Sequence, residues 1–216
     1  MTASVAEIVM RFEAAYGRVE PRAPAPCLDT LVSCILSQHT SDANSARAYR
    51  NLRERFPAWE DVLDAPEEEI AASIRCGGLA AVKARAIREV LQQVRQSEDK
   101  LTLERLHALS DEEARAYLIR LPGVGPKTAA IVLCFAMGRP ALPVDTHVLR
   151  VSRRLGLLPA NTTAEKAHGT LERLVPPELV YRFHVGCVRH GKRTCRARKP
   201  SCTRCCLADV CPAVCA

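Results

Sequence analysis

The sequence predicts an all-α protein, and three observations predict it. Apolar residues recur at helical spacing, with Leu28, Leu31, Val32 and Ile35 marking one face and Leu79, Val82, Ala86, Val90 and Val94 another. Ser110 with Glu113, and Thr162 with Glu165, have the spacing of a capping box, the reciprocal side-chain arrangement that opens a helix. No alternating apolar stretch is long enough for a sheet, and no β-branched run lies between turn signals. At typical helix lengths of roughly 10–14 residues, the chain has room for about nine to eleven helices.

In chain order, an N-terminal helix ends before Pro21, Pro24 and Pro26. Glu7 interrupts its apolar residues and no cleavage pattern follows, which argues against a signal peptide and so against an oxidising compartment. The 11 cysteines are therefore not read as a disulfide framework, and the sequon at Asn161 is read as an accident of composition. The faces at Leu28 and Leu79 give the next helices, and Ser110 opens one running to Arg120. Ala129 to Met137 is the longest apolar run, about half of the roughly 20 residues that span a bilayer, and reads as a buried helix. Pro140 and Pro143 break the chain again before the helices of its last third. With 48% hydrophobic and 25% charged residues, disordered, collagen-like and fibrous classes are excluded.

The net charge of +7 is local. Residues 182–204 contain eight cations, Arg182, Arg189, Lys192, Arg193, Arg196, Arg198, Lys199 and Arg204, and no acid, so the rest of the chain is nearly neutral. A stripe of this kind suits a polyanion, though a solvated charged face would look the same. The cations split 25 Arg to 6 Lys, which leaves a short list of lysines for chemistry: Lys83, Lys100, Lys127, Lys166, Lys192 and Lys199.

The most informative turn is Leu121-Pro122-Gly123-Val124-Gly125-Pro126-Lys127-Thr128-Ala129, between two helices. Gly123 and Gly125 permit a close backbone approach, and Pro126 suits the first turn of a helix, so backbone N–H groups are presented to an anion. A nucleotide P-loop needs Gly directly before the Lys, where this chain has Pro126, and a preceding strand, where it has a helix. Together with Val144-Asp145-Thr146-His147, this turn resembles the helix-hairpin-helix DNA glycosylases, specifically the endonuclease III family, and the likeness runs from about Pro26 to Cys211.

The resemblance implies a bifunctional DNA glycosylase and abasic-site lyase acting on oxidised pyrimidines in double-stranded DNA. Lys127 would form a Schiff base with the sugar, Asp145 would assist base loss, and β-elimination would nick the strand. The chemistry of the residues agrees. A lysine attacks C1′ only as the free amine, and the positive end of a helix dipole disfavours its ammonium form. A carboxylate stabilises a developing oxocarbenium ion or helps activate the amine, while Asp145 also fits a plain helix N-cap. His147 reads equally as a structural histidine or a DNA contact. Two other classes compete: a monofunctional mismatch glycosylase of adenine or thymine type, of which the adenine-specific relatives use no Schiff-base lysine at this position and usually carry a further C-terminal domain, and a non-catalytic DNA-binding module, which needs neither Lys127 nor Asp145.

Cys195, Cys202, Cys205 and Cys211 have the spacing C-x6-C-x2-C-x5-C, too tight for a zinc ribbon with its long spacer and suited to a compact cluster. The family likeness makes it a [4Fe-4S] site, with zinc as the alternative. Cys206 and Cys215 are extra, and Cys27, Cys34, Cys76, Cys134 and Cys187 read as core fillers. Arg196, Arg198 and Lys199, between the first two ligands, would contact phosphates without reading sequence.

A glycosylase must extrude the damaged nucleotide and fill the gap. In the family a Gln in a Ser-x-Gln-x-Thr-Asp stretch and a Leu in a Gly-Leu loop do so. Here the stretch is Ser37-Gln38-His39-Thr40-Ser41-Asp42, where ungapped alignment puts His39 at the family Gln and Gln38 one place early, so either serves as wedge, or both merely cap the next helix. The second loop keeps the Leu as Leu79, with slimmer neighbours Ala80 and Ala81. The implied architecture is two helical lobes, residues 24–139 with the hairpin and residues 1–23 with 140–216 holding the cluster, with Lys127 and Asp145 facing across a cleft. The chain is expected to be a cytoplasmic, nucleoid-associated monomer with no membrane contact.

Overall fold

The structure, a computed structural model, describes residues 3–21, 23–98 and 100–214; Cys215 lies outside them. Among the described residues it contains eleven α-helices, short 3-10 turns and no strand. No helix is long and apolar enough to cross a membrane. The chain divides into two compact units, Pro24–Val132 and Met1–Ala23 with Leu133–Ala216.

The contiguous unit holds α2 (Cys27–Ser37), α3 (Asp42–Arg55), α4 (Trp59–Asp64), α5 (Glu67–Ser73), α6 (Ala80–Ser97), α7 (Asp111–Ile119) and α8 (Pro126–Ile131). Its core is built from Leu31, Val32 and Leu36 of α2, Leu52 of α3, Ile70 of α5, and Ile87 and Leu91 of α6, all fully buried. Truncating any one of these leucines or isoleucines to alanine costs about 2–5 kcal/mol, because the transfer loss is compounded by a cavity. Asp29 ties three helices together, accepting from Tyr49 Oη at 2.5 Å and Trp59 Nε1 at 3.2 Å. The Ser110–Glu113 capping box forms as the spacing predicts, with Glu113 Oε2 2.9 Å from Ser110 N and Ser110 Oγ 3.3 Å from Glu113 N.

Three expectations are corrected here. The apolar face of α6 is Lys83, Ala84, Ile87, Val90, Leu91 and Val94, whereas Leu79 and Val82 are 55% and 66% exposed. Leu79 precedes the helix with a left-handed φ of 50°, which shifts the start of the buried face. The long apolar run is not one α-helix: after Ile131 it widens into a π-helical stretch, Val132–Ala136, and stops at Gly138, whose φ of 67° favours glycine. Cys76 is only half-buried, while Cys27, Cys34, Cys134 and Cys187 are core residues.

The split unit contains α1 (Val5–Tyr16), α9 (Thr146–Arg154), α10 (Ala164–Leu174) and α11 (Val180–Arg193). Helix α11 packs on both α1 and α9, and α10 on α9. Gly186 makes the first contact possible, since a Cβ there would lie 2.5 Å from Phe12 Cδ2. Glu13 and Arg182 lock the same two helices by a two-point ion pair, both distances 2.6 Å, which holds the Glu13 carboxyl below its usual range. The expected lobe boundary at 139/140 falls earlier, after Val132, because Cys134 belongs to the core formed by Phe12, Val148 and Phe183, and the Phe135 ring lies 5.0 Å from Tyr181. Helix α10 is capped by Thr163, which accepts from Lys166 N at 3.3 Å, and not by Thr162 with Glu165. The Thr162 carbonyl is occupied by Arg153, whose Nε donates to it at 3.1 Å.

Candidate active site

The turn after α7 folds as a helix-hairpin-helix. Gly123 takes a left-handed φ of 70°, which a side chain would strain. Gly125, the N-cap of α8, is extended at φ −94°, a conformation open to any residue. A Cβ at either glycine would meet nothing within 4 Å. No internal contact therefore requires glycine at 125, and the hairpin backbone faces open space. Pro126 fills the first helical position and Lys127 the second, half-buried in the first turn of α8. Helix α8 packs against α2, which brings the Lys127 charge within range of Cys34. Burial pushes that thiol up to about 11, so it stays protonated.

Asp145 is the N-cap of α9. Its Oδ1 accepts from His147 N at 2.8 Å and from Val148 N at 2.7 Å. Both bonds fall on one oxygen, so the cap itself makes no use of Oδ2. The segment before it is pinned by two buried imidazoles, His168 Nδ1 3.2 Å from Leu142 O and His184 Nδ1 2.8 Å from Pro143 O, and by Leu142 N donating to Glu172 at 3.1 Å. His147 is half-buried, and its Nδ1 lies 3.1 Å from Arg150 Nη2. A guanidinium only donates, so Nδ1 is the acceptor in this contact.

Cys195, Cys202, Cys205 and Cys211 line one pocket, together with Val151, Leu155, Pro200 and Ala208. Cys206 does not line it. Among the described residues no group of three His, Cys, Asp or Glu side chains is drawn together to hold a single metal ion. The donor chemistry nevertheless fits an iron–sulfur cluster: the walls are apolar, and N–H groups point at sulfur, Arg154 Nη1 3.2 Å from Cys195 Sγ and Leu207 N 3.4 Å from Cys205 Sγ. Arg154 also donates to the carbonyls of Arg196 at 2.8 Å and Ala197 at 3.2 Å, and Arg150 Nε to that of Cys195 at 3.0 Å. These two arginines of α9 shape the loop from which Arg196, Arg198 and Lys199 project, all three exposed. Other members of the basic stripe are committed elsewhere, Arg182 to Glu13 and Arg189 to the carbonyls of Tyr16 and Gly17 at 3.1 Å.

The two loops expected to extrude the base both lie in the contiguous unit. Gln38 is the C-cap of α2, and α3 is capped by Ser41, whose Oγ accepts from Asn44 N at 3.3 Å, so neither Gln38 nor His39 caps the following helix. Both are exposed. His39 and Leu79 have φ values of 52° and 50°, a left-handed backbone that costs a non-glycine residue about 1–2 kcal/mol. The sequence placed Val82 on the apolar face and Lys83 only among six candidate lysines, whereas Val82 stands exposed one turn beyond Leu79 and Lys83 is buried with its ammonium on the carbonyls of Leu36 and Gly77. A lysine at the register of Ile87, Val90 and Val94 was the available signal for Lys83.

Residues 32–177 match the family described as HhH-GPD superfamily base excision DNA repair protein. The chain is 40% identical to a DNA glycosylase-like protein of Arabidopsis thaliana over 80% of its length, and spans 59% of that relative. It is 32% identical to endonuclease III of Thermotoga maritima, over 95% of this chain and 89% of the relative. A solved structure of a trapped endonuclease III–DNA covalent intermediate is similar with a TM-score of 0.79 at 29% identity, covering 97% of this chain and 92% of that one.

Proposed function

The chain belongs to the HhH-GPD superfamily of base excision DNA repair proteins, and from that premise we propose how its residues share the work. It is a DNA glycosylase with abasic-site lyase activity. Lys127 is its nucleophile. The amine lone pair forms a bond to C1′, the glycosidic bond breaks towards the base, and the base leaves with a proton. The aminal so formed opens its sugar ring, the C1′–O4′ bond breaking as O4′ takes up a proton and the nitrogen lone pair closes the C=N bond; the imine acidifies the neighbouring C2′ hydrogens, and loss of one expels the 3′ phosphate. Asp145, through the oxygen its cap does not use, stabilises positive charge at C1′ and takes up the ammonium proton. Gly123 and Gly125 let a phosphate reach the hairpin backbone, and Gln38, His39, Leu79 and His147 contact the opened duplex.

The observation that carries this reading is a lysine in the first turn of a helix whose hairpin has no internal need for Gly125. We assign oxidised pyrimidines in duplex DNA as substrate on the likeness to endonuclease III. Incubation with an oligonucleotide containing thymine glycol, followed by borohydride, should trap a covalent adduct. Base release without trapping would replace this reading with a monofunctional mismatch glycosylase, and binding alone would leave a DNA-binding module. The same reading has the protein acting as a monomer in the cytoplasm.

The four thiols of the 195–211 loop are proposed to hold a [4Fe-4S] cluster, which would cross-link a loop too polar to order itself. Arg154 would orient the loop and donate to the Cys195 sulfur. The purified protein should be brown and contain about four iron atoms per chain; a colourless, zinc-containing preparation would overturn the assignment. Arg196, Arg198 and Lys199 then meet phosphates. Replacing all three with serine should lower the slope of log affinity against log salt by up to about 3, at roughly 0.9 per lost phosphate contact. An unchanged slope in a salt titration would remove them from the interface.

A further inference from the structure

His39 and Leu79 adopt a backbone that side chains disfavour, both are solvent-exposed, and each stands at the tip of a loop expected to enter the duplex. The group that reaches both loops is the Lys83 ammonium. Nζ donates to Leu36 O, in the last turn of α2, and to Gly77 O, each at 2.8 Å. One carbonyl stands two residues before Gln38 and the other two residues before Leu79. Lys83 is 3% exposed, and burial pushes its pKa down. Desolvating an ammonium against carbonyl acceptors is costly, whereas an apolar residue of equal length would fill the space without that cost. What methionine at this position would lack is the tie between the loops.

We propose that Lys83 is a positioning residue for base extrusion: its ammonium clamps the carbonyls of Leu36 and Gly77, fixing the spacing between the loop of Gln38 and His39 and the loop of Leu79. The two wedges then enter the duplex as one rigid pincer instead of two independently moving loops. This rests on the assignment of those side chains as wedges. Extrusion needs the clamp most when a paired, stacked base must be displaced, and least at a site that has already lost its base.

The test uses the full-length protein and compares Lys83→Met, Lys83→Arg and Leu79→Ala, with Gln38→Ala and His39→Ala in combination. Base unpairing is followed by stopped-flow fluorescence of 2-aminopurine opposite thymine glycol. Single-turnover excision of thymine glycol is measured beside strand cleavage at a pre-formed abasic site. Lys83→Met should lower unpairing and excision by at least about tenfold more than it lowers abasic-site cleavage, and Lys83→Arg, which keeps charged donors, should recover most of the difference. A merely structural role would reduce both reactions in proportion to folded protein, and that outcome overturns the proposal. If the wedge variants leave unpairing intact, the wedge assignment itself fails; if they abolish it while Lys83→Met does not, the clamp alone fails. Should Lys83→Met not fold, Lys83→Gln takes its place in the same assays. Hydrogen exchange over residues 37–41 and 77–79 should be faster in the folded variant, and unchanged protection would refute the clamp.

Discussion

Replacing Lys127 with alanine is expected to eliminate the borohydride-trapped adduct and to lower strand cleavage at an abasic site by about three orders of magnitude or more. The loss should be chemical, because little in the fold depends on this side chain. Lys127 is half-buried in the first turn of α8, where the helix dipole opposes its positive charge and alanine is the better helix former. The variant should therefore be as stable as the parent or more so, by up to about 1 kcal/mol. Thermal melting alongside the trapping gel separates the two effects. A variant that melts no lower than the parent while losing the adduct would assign Lys127 to the reaction and not to the fold. Lys127→Arg sharpens the test, since guanidinium is not deprotonated in proteins and offers no amine to a carbon electrophile. A trapped adduct in either variant would move the nucleophile elsewhere in the chain.

The helices were legible because most of them announce themselves locally. Ser110 and Glu113 form their capping box, and Asp145 caps α9, because these are contacts between residues close in sequence. The failures have other causes. The cap of α10 fell to Thr163 because two adjacent threonines offer the same hydroxyl, and the spacing to Glu165 does not say which of them the helix follows. The apolar run after Ala129 widened into a π-helix where the chain passes from one unit to the other, and hydropathy does not distinguish a π-turn from an α-turn. Leu79 looked like the first residue of an apolar face because periodicity is blind to a left-handed φ.

At the candidate site, the sequence offered candidates for the chemistry and was silent on what aims them. Spacing picked out Cys195, Cys202, Cys205 and Cys211, and the structure brings them to one cavity. It did not show that Arg150 and Arg154 of α9, about 45 residues earlier, would hold the loop those cysteines lie on. The basic stripe was legible as charge but not as available charge. Arg182 and Arg189 spend theirs holding α1, while Arg196, Arg198 and Lys199 remain exposed. Lys83 was visible as one of six lysines, and only the fold shows that its ammonium lies beneath two strained loops.

Asp145 combines two roles in one side chain, and two substitutions should separate them. Asparagine keeps an oxygen where Oδ1 accepts from His147 N and Val148 N, so Asp145→Asn should retain the cap and melt within a few degrees of the parent. It removes the negative charge, and base excision should fall by about 10²–10⁴-fold, the range for loss of a positioned acid–base group. Alanine removes both functions, adding about 1 kcal/mol of destabilisation as α9 loses its N-cap. That destabilisation should reach the thiol cavity, because α9 also carries Arg150 and Arg154. Asp145→Ala, but not Asp145→Asn, should therefore loosen the loop at Cys195, read as faster proteolysis or hydrogen exchange over residues 194–201. If the two variants lose excision equally while only alanine lowers the melting temperature, charge is the catalytic property and capping is structural. If asparagine retains full excision, Asp145 acts through the cap alone, and the carboxylate that assists base loss must be sought elsewhere in the chain.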